Sequence, residues 1–170
     1  AGAGFDGVEL MGDLRQYQPA EVNAILGDHG LEVLSLTPED VDLAHPDADL
    51  RAEALDYYLR LLDFAVAVGA PLVCCHGAVG RVRALAPFEE EYRHFLAGVQ
   101  LIAGRAFDLN INLAMEVLNR YESHLLNTAA QALEFVAQVG SPNVGVLLDA
   151  YHMNIEEADP VAAVLDVGER

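Results

Sequence analysis

The feature that most constrains the fold of this chain is an alternation of short apolar runs with longer amphipathic segments. Five apolar runs predict β-strands, and the segments between them have the apolar spacing of helices. Strands that alternate with helices are typical of repeated βα units around a parallel sheet. The predicted strands are centred on residues 7–10, 32–36, 71–75, 111–117 and 144–148.

Two of these runs also predict how the strands are covered. Residues 72–75 are apolar at every position, and residues 144–148 are apolar except for Gly145. Parallel strands that carry helices on both faces of their sheet have such continuous apolar runs. We therefore expect both segments to be buried on both faces.

Helix boundaries are marked by capping residues, prolines and glycines. One amphipathic helix has an apolar face that predicts packing on the sheet, formed by Tyr57, Tyr58, Leu61, Leu62 and Phe64. The predicted helices begin near Pro19, at Asp47 or Asp49, at Pro87, at Asn127 or Thr128 with Gln131 in a capping box, and at Asp159-Pro160; four of them end at Gly30, Gly69, Gly140 and Gly168.

Five βα units without a linker predict one domain over residues 1–170. A complete eight-unit barrel takes about 250 residues, and a doubly wound sheet would normally show a glycine-rich phosphate loop after an early strand. We therefore expect an α/β fold, a partial (β/α)8 TIM barrel with roughly strands 2 to 6 of eight. One unit is expected to be missing in front and about two behind.

Charge and hydropathy exclude several classes of partner. The 27 acidic and nine basic side chains give a net charge of -18, which opposes binding to nucleic acid or to anionic lipid. No stretch approaches the roughly 18 apolar residues of a membrane span, and no signal peptide is evident. A cytoplasmic location is expected. The adjacent Cys74 and Cys75 would point to opposite faces of a strand, which predicts reduced, buried thiols.

Acidic side chains and one histidine mark the predicted strand ends. In a parallel barrel, ligands bind at the carboxyl ends of the strands, where this chain has Glu9, His76, Glu116 and Asp149. A carboxylate within an apolar run is costly to bury unless it is paired, protonated or bound to a cation. Glu116 and Asp149 follow neighbouring strands, so together they can chelate a divalent metal.

Two polar segments extend this candidate site. Residues 149–157 place Asp149, His152, Glu156 and Glu157 in a predicted strand-to-helix loop, with the two glutamates in the first turn of the next helix. Residues 116–123 run from Glu116 into a polar loop. Each residue also has an alternative structural role. For Glu116 and Asp149 it is ion pairing, and for His152 it is a backbone contact. Glu122 could pair with Arg120 or cap a backbone group, and Glu9 could have a supporting or structural role. No catalytic role is expected for His29, His94 or His124, whereas His76 is either near the pocket mouth or an ordinary loop residue.

Three phrases carry a family resemblance. GFDGVEL at residues 4–10, EVLNRYES at 116–123 and LDAYHMNIEE at 148–157 resemble the sugar phosphate isomerase/epimerase superfamily with its xylose isomerase-like barrel. The resemblance covers nearly the whole chain and is closest to D-tagatose and D-psicose (allulose) 3-epimerases. The last two phrases together are the specific ones.

This resemblance implies a site and a reaction. It implies a divalent metal, Mn²⁺ or Co²⁺ with Mg²⁺ or Zn²⁺ as alternatives, held by Glu116 and Asp149, and a sugar whose oxygens bond to Glu122 and His152. Glu116 would also be a catalytic acid/base in epimerisation through a cis-enediolate. The family's remaining His and Glu ligands and a substrate-binding Arg lie beyond residue 170, so the fragment alone is expected to be inactive.

Other functions remain open on the same barrel. They are hydroxypyruvate isomerisation, inosose dehydration, an AP-endonuclease-like metal phosphodiesterase and an inactive fragment. The charge of -18 disfavours the nuclease, which needs basic surface for DNA. Homo-oligomerisation is common in the family and also remains open.

Overall fold

A computed structural model describes residues 2–168 as alternating strands and helices. Residues 1, 169 and 170, which belong to the predicted domain, lie outside the described residues. The elements are β1 (Gly7–Met11), α1 (Pro19–Asp28), β2 (Glu32–Thr37), α2 (Ala48–Val68), β3 (Leu72–Cys75), α3 (Phe88–Asp108), β4 (Asn112–Glu116), α4 (Ala129–Val139), β5 (Val144–Leu147), α5 (Ala150–Glu156) and α6 (Pro160–Val167).

The five strands form one parallel sheet whose spatial order follows the chain order. In register, Cys75 pairs with Met115, and Glu116 pairs with Leu147. A doubly wound sheet would reverse its order about its first strand, whereas a barrel adds each strand beside the previous one. The predicted α/β fold with five βα units of a TIM barrel is therefore confirmed.

The five strands were predicted within one or two residues of their observed ends, but the burial of the last strand was not. Val73, Cys74 and Cys75 of β3 are buried as expected. In β5, Val144 is buried, whereas the three residues after it are only half-buried. Among the described residues β5 pairs with β4 alone, so one side of the strand has no neighbour to cover it.

The helix boundaries match the sequence signals because those signals act locally. The Asp47 side chain accepts a hydrogen bond from the amide of Asp49 at 2.8 Å at the start of α2. Thr128 and Gln131 form the predicted capping box of α4, which ends at Gly140 in the left-handed conformation. Caps of this kind satisfy backbone groups that the helix itself leaves unpaired.

Helix α2 packs its predicted apolar face on the sheet and also joins two loops. The five residues predicted for that face are all buried. The Tyr57 hydroxyl accepts a hydrogen bond from the amide of Glu39 at 2.7 Å and donates one to the carbonyl of Gly12 at 2.9 Å. A Cβ on Gly12 would lie 2.5 Å from that hydroxyl, so a side chain there would displace it. This contact holds the loops after β1 and β2 together at the carboxyl end of the sheet.

Both cysteines lie in β3. Cys74 and Cys75 are both buried, as predicted, and no disulfide joins them. Among residues 2–168, no helix combines the length and the apolar character that crossing a bilayer requires.

Candidate active site

The candidate site lies where β4 ends and where β5 passes into α5. Because Glu116 pairs with Leu147, Asp149 follows two residues later on the same face of the sheet. One ligand atom each from Glu116, Asp149 and His152 lie within 4.8 Å of one another. The structure therefore brings together three of the four predicted site residues.

The segment that carries Asp149 and His152 is a short helix, so its prediction as a loop was wrong. Helix α5 begins directly after Asp149, whose side chain accepts a hydrogen bond from the amide of Tyr151 at 2.6 Å. Asp149 and His152 are three residues apart, and this spacing places them on one side of the first turn. Seven residues are too few to show an apolar period in a sequence.

Glu156 and Glu157 do not lie in the first turn of the next helix, which corrects another prediction. Glu156 is the last residue of α5 and accepts hydrogen bonds from the Arg120 side chain at 2.8 and 2.6 Å and from its amide at 2.7 Å. Glu157 accepts one from the amide of Ala129 at 2.7 Å, at the start of α4. Arg120 thus pairs with Glu156 instead of Glu122. These contacts fasten α5 to the loop between β4 and α4.

Asn119 is a site residue that the sequence-based reasoning missed. It is fully buried, and its Nδ2 lies 2.8 Å from Oε1 of Glu122 and 2.8 Å from Nδ1 of His152. Its amide also donates to Nδ1 of His152 at 3.1 Å. The fourth predicted site residue is Glu122. Asn119 links it to His152, so Glu122 joins the other three. The position of Asn119 after a strand end was a signal, but its partner His152 is 33 residues away in the chain.

The hydrogen bonds around His152 determine where its ring proton lies. Nδ1 faces the backbone N–H of Asn119 and accepts its hydrogen. A neutral imidazole that accepts at one nitrogen carries its proton on the other. His152 therefore presents an Nε2–H group, and this nitrogen lies 4.0 Å from Oε1 of Glu116.

Glu116 is in an environment that disfavours an isolated negative charge. Burial raises the pKa of Glu116 above its ordinary value, and the carboxylates of Asp149, Glu9 and Glu122 act in the same direction, while His152 opposes the shift. A divalent cation between Glu116 and Asp149 would relieve the repulsion between their carboxylates. The donor set therefore fits a hard or borderline divalent metal.

The remaining polar residues near the strand ends lie outside this group. Glu9 lies within β1, not at its end, and accepts hydrogen bonds from the hydroxyls of Ser35 and Thr37. His76 is buried, and burial lowers its pKa. Glu9 thus has the contacts expected of a supporting residue. Three histidines for which no catalytic role was expected also lie outside the group. His29 caps the end of α1, His94 lies on α3, and His124 contacts Glu91.

Comparison with known proteins identifies the family. The sequence profile described as the xylose isomerase-like TIM barrel matches residues 1–170. The chain belongs to this family. The resemblance inferred from the three sequence phrases is therefore confirmed at the level of the family and its fold.

Several ketose epimerases are similar to the chain. A ketose 3-epimerase of Arthrobacter globiformis is 34% identical over 171 residues, which cover 98% of this chain and 59% of that protein. A D-psicose 3-epimerase of Agrobacterium fabrum is 34% identical over 91% of this chain and 56% of that protein. The crystal structure of a D-allulose 3-epimerase of Methylomonas sp. superposes with a TM-score of 0.91 at 32% identity, covering 99% of this chain and 60% of that one. The chain thus spans less than two thirds of the length of these relatives.

Proposed function

We propose that the complete protein is a metal-dependent ketose 3-epimerase. The observation that carries this proposal is the grouping of Glu116, Asp149 and His152 within 4.8 Å at the ends of β4 and β5. The similarity to ketose and D-psicose 3-epimerases at 34% identity supports a role of this grouping in sugar epimerisation. Residues 1–170 would be one domain that supplies roughly strands 2 to 6 of the closed barrel.

Glu116 and Asp149 would hold the metal, with Mn²⁺ or Co²⁺ as the favoured ions and Mg²⁺ or Zn²⁺ as alternatives. Two carboxylates on neighbouring strand ends suit these ions. The negative charges of Asp149, Glu9 and Glu122, which add to burial in raising the pKa of Glu116, support a bound cation there. When bound, such a cation would act as a Lewis acid and would make the hydrogen on the carbon beside the sugar's carbonyl more acidic.

Glu116, His152 and Glu122 would have separate roles in the reaction. Glu116 would take or return the proton at carbon 3 of the ketose. His152 would donate its Nε2–H to a sugar oxygen, and Glu122 would accept a hydrogen from a sugar hydroxyl. Inversion needs a second acid/base on the opposite face of that carbon, and the rest of the protein would supply it.

The proposed substrate is a small sugar. The net charge of -18 opposes phosphate-rich partners such as DNA and anionic lipid surfaces. The proposed location is the cytoplasm.

The experiment uses the full-length protein loaded with Mn²⁺ or Co²⁺, with D-fructose, D-allulose and L-ribulose as substrates in D₂O. Epimerisation at carbon 3 should place deuterium at that carbon, which NMR detects. The proposal would be contradicted if none of these ketoses were converted, or if deuterium appeared at carbon 4 instead.

Variants of the two proposed ligands test the metal site. Asp149→Asn and Glu116→Gln should each weaken Mn²⁺ binding, measured by calorimetry, by at least about tenfold, since each removes a negative ligand. Asparagine also caps helices well, so Asp149→Asn should preserve α5. Asp159→Asn is the matched control, because Asp159 caps α6 through the amides of Val161 and Ala162 and has no proposed contact with the metal. Unchanged Mn²⁺ affinity in both ligand variants would refute the assignment.

A further inference from the structure

We infer that Asn119 is a positioning residue that orients both groups proposed to contact the sugar, His152 and Glu122. This inference rests on the proposed function, because it explains how the two groups proposed to bind the sugar are held in place. His152 Nδ1 and Glu122 Oε1 are 4.0 Å apart, too far for a hydrogen bond between them. The Asn119 side chain bridges this gap with a bond of 2.8 Å to each.

The orientation of the Asn119 amide is determined by its third contact. The backbone N–H of Tyr121 donates to Oδ1 of Asn119 at 2.9 Å. A backbone N–H can only donate, so the atom that it faces must be the amide oxygen. The other amide atom is therefore the NH₂ group. Its two hydrogens match the two acceptors, one on the Glu122 carboxylate and one on the His152 ring.

This arrangement determines which ring nitrogen of His152 carries hydrogen. Nδ1 receives hydrogen from both the amide and the side chain of Asn119, at 3.1 and 2.8 Å. A proton on Nδ1 would place N–H groups against each other, so Nδ1 accepts and the ring hydrogen lies on Nε2. One ring nitrogen is then occupied and the other carries hydrogen. His152 can donate to a sugar oxygen, but it offers no lone pair to a metal, although it lies beside Glu116 and Asp149.

Burial makes the Asn119 amide decisive for this geometry. Asn119 has no exposed surface, so water does not compete for its hydrogens. Helix α5 is already fastened to the same loop by the pair of Arg120 with Glu156. The helix therefore brings the His152 ring to Asn119, and the side-chain amide joins the backbone N–H in holding Nδ1 as an acceptor while it also holds Glu122.

The variant Asn119→Asp separates positioning from loop structure. Aspartate keeps an oxygen to accept from Tyr121 and keeps the backbone N–H that faces His152, but it replaces the NH₂ group with a second acceptor. That acceptor is anionic and would lie in the place of Nδ2, 2.8 Å from Nδ1, whereas the backbone N–H lies 3.1 Å away. Because a hydrogen bond to an ionised acceptor is the stronger of the two, it should draw a proton to Nδ1 of His152 while the new charge repels the Glu122 carboxylate. Asn127→Asp is the matched control, because the Asn127 amide donates to the carbonyls of Leu118 and Ser123 in the same loop and not to His152.

The readout is the ¹⁵N NMR spectrum of histidine-labelled full-length protein loaded with diamagnetic Mg²⁺. His152 is assigned by comparison with His152→Gln. Wild type and Asn127→Asp should both show His152 protonated at Nε2, whereas Asn119→Asp should show a proton on Nδ1. A purely structural role for Asn119 would leave the tautomer unchanged.

Kinetics supply the second readout. With Mn²⁺ and D-fructose, Asn119→Asp should lower kcat/KM by about 10- to 100-fold, the range seen when residues that orient active-site groups are lost. Mn²⁺ affinity should stay within about twofold, since Asn119 contacts neither proposed ligand.

The inference is overturned if wild-type His152 carries its proton on Nδ1, or if Asn119→Asp leaves the tautomer and kcat/KM unchanged. A proton on Nδ1 in the wild-type protein would overturn the inference even if Asn119→Asp does not fold. The tautomer is also measured independently of turnover. A wild-type protein that converts no ketose would therefore refute the proposed function, while the spectrum would still test Asn119.

Discussion

The guanidinium of Arg81 lies 2.6 Å from the carboxylate of Glu91, a side chain with no exposed surface. The same carboxylate is 2.6 Å from Nε2 of His124, and Arg81 also bonds to Asp42 at 2.7 Å. These residues come from the loops after β2, β3 and β4 and from α3. One buried ion network therefore connects three of the loops at the carboxyl end of the sheet, where the candidate site lies.

Replacing Glu91 with glutamine should strongly destabilise the protein. Glutamine has nearly the same shape, but it removes the buried negative charge and leaves Arg81 with Asp42 as its remaining carboxylate partner. Removing one member of a buried ion pair typically costs about 3 to 5 kcal/mol, and the remaining pair with Asp42 should keep the loss near the lower end of this range. Urea unfolding of the full-length protein measures the loss. The control is Glu90→Gln at the neighbouring position, where 41% of the side chain is accessible to solvent, and it should change the free energy of unfolding by less than about 0.5 kcal/mol. Equal effects of the two variants would contradict the importance of the network.

Glu91 also predicts how stability depends on pH. Burial raises its pKa, but hydrogen bonds from Arg81, His124 and the amides of the loop before α3 outweigh burial and lower the pKa from 4.5 to about 2. A group whose pKa is lower in the folded state stabilises the protein above its unfolded pKa, and this stabilisation is lost as the pH falls through the folded pKa. The contribution is about 3 kcal/mol, present above pH 4.5 and lost towards pH 2.

The measurement compares urea unfolding of the wild type and Glu91→Gln between pH 5 and pH 2.5. The other carboxylates contribute to both proteins, so the difference between the two curves isolates Glu91. The wild type should lose more stability than the variant over this interval. Parallel curves would show that the carboxylate at position 91 has an ordinary pKa.

Glycine is required at position 77 for two separate reasons. Gly77 has a φ of 72°, and a Cβ there would lie 1.9 Å from the Phe95 ring, which is itself buried. Gly77→Ala should therefore cost about 2 to 5 kcal/mol from backbone strain and overpacking together. Gly80 is the matched control, since its φ is 79° and its Cβ would meet no atom within 4 Å. Gly80→Ala should cost only about 1 to 2 kcal/mol. Thermal unfolding of both variants tests the difference, and equal losses would exclude the contact with Phe95 as the cause.

Cys74 and Cys75 should resist alkylation while the protein is folded. Burial raises the pKa of both thiols to about 12, and the negative charges of Glu9 and Glu116 also raise that of Cys74. At pH 8 only about one thiol in ten thousand would then be the reactive thiolate. Peptide mass spectrometry after iodoacetamide treatment should find both residues unmodified in native protein and modified in urea. Rapid modification of the native protein would contradict this prediction.

The local features of this fold could be predicted because neighbouring residues determine them. The capping box of Thr128 and Gln131 and the end of α4 at Gly140 each depend on contacts within a few residues. Helix α5 was missed for a related reason: it is seven residues long, and its cap, Asp149, looked like a site residue alone. Asp149 has the geometry of a cap and also lies in the candidate site.

The sequence by itself determined the alternation of strands and helices, the helix caps, and the candidate roles of Glu116 and Asp149, since a carboxylate ending an apolar strand needs a compensating partner wherever the chain folds. Only the tertiary structure decided which distant side chains meet. Asn119 reaches His152 across 33 positions, and Arg81 reaches Asp42 across 39. Such pairs depend on how neighbouring strands align and how loops close over them, and no local spacing in the chain encodes that alignment.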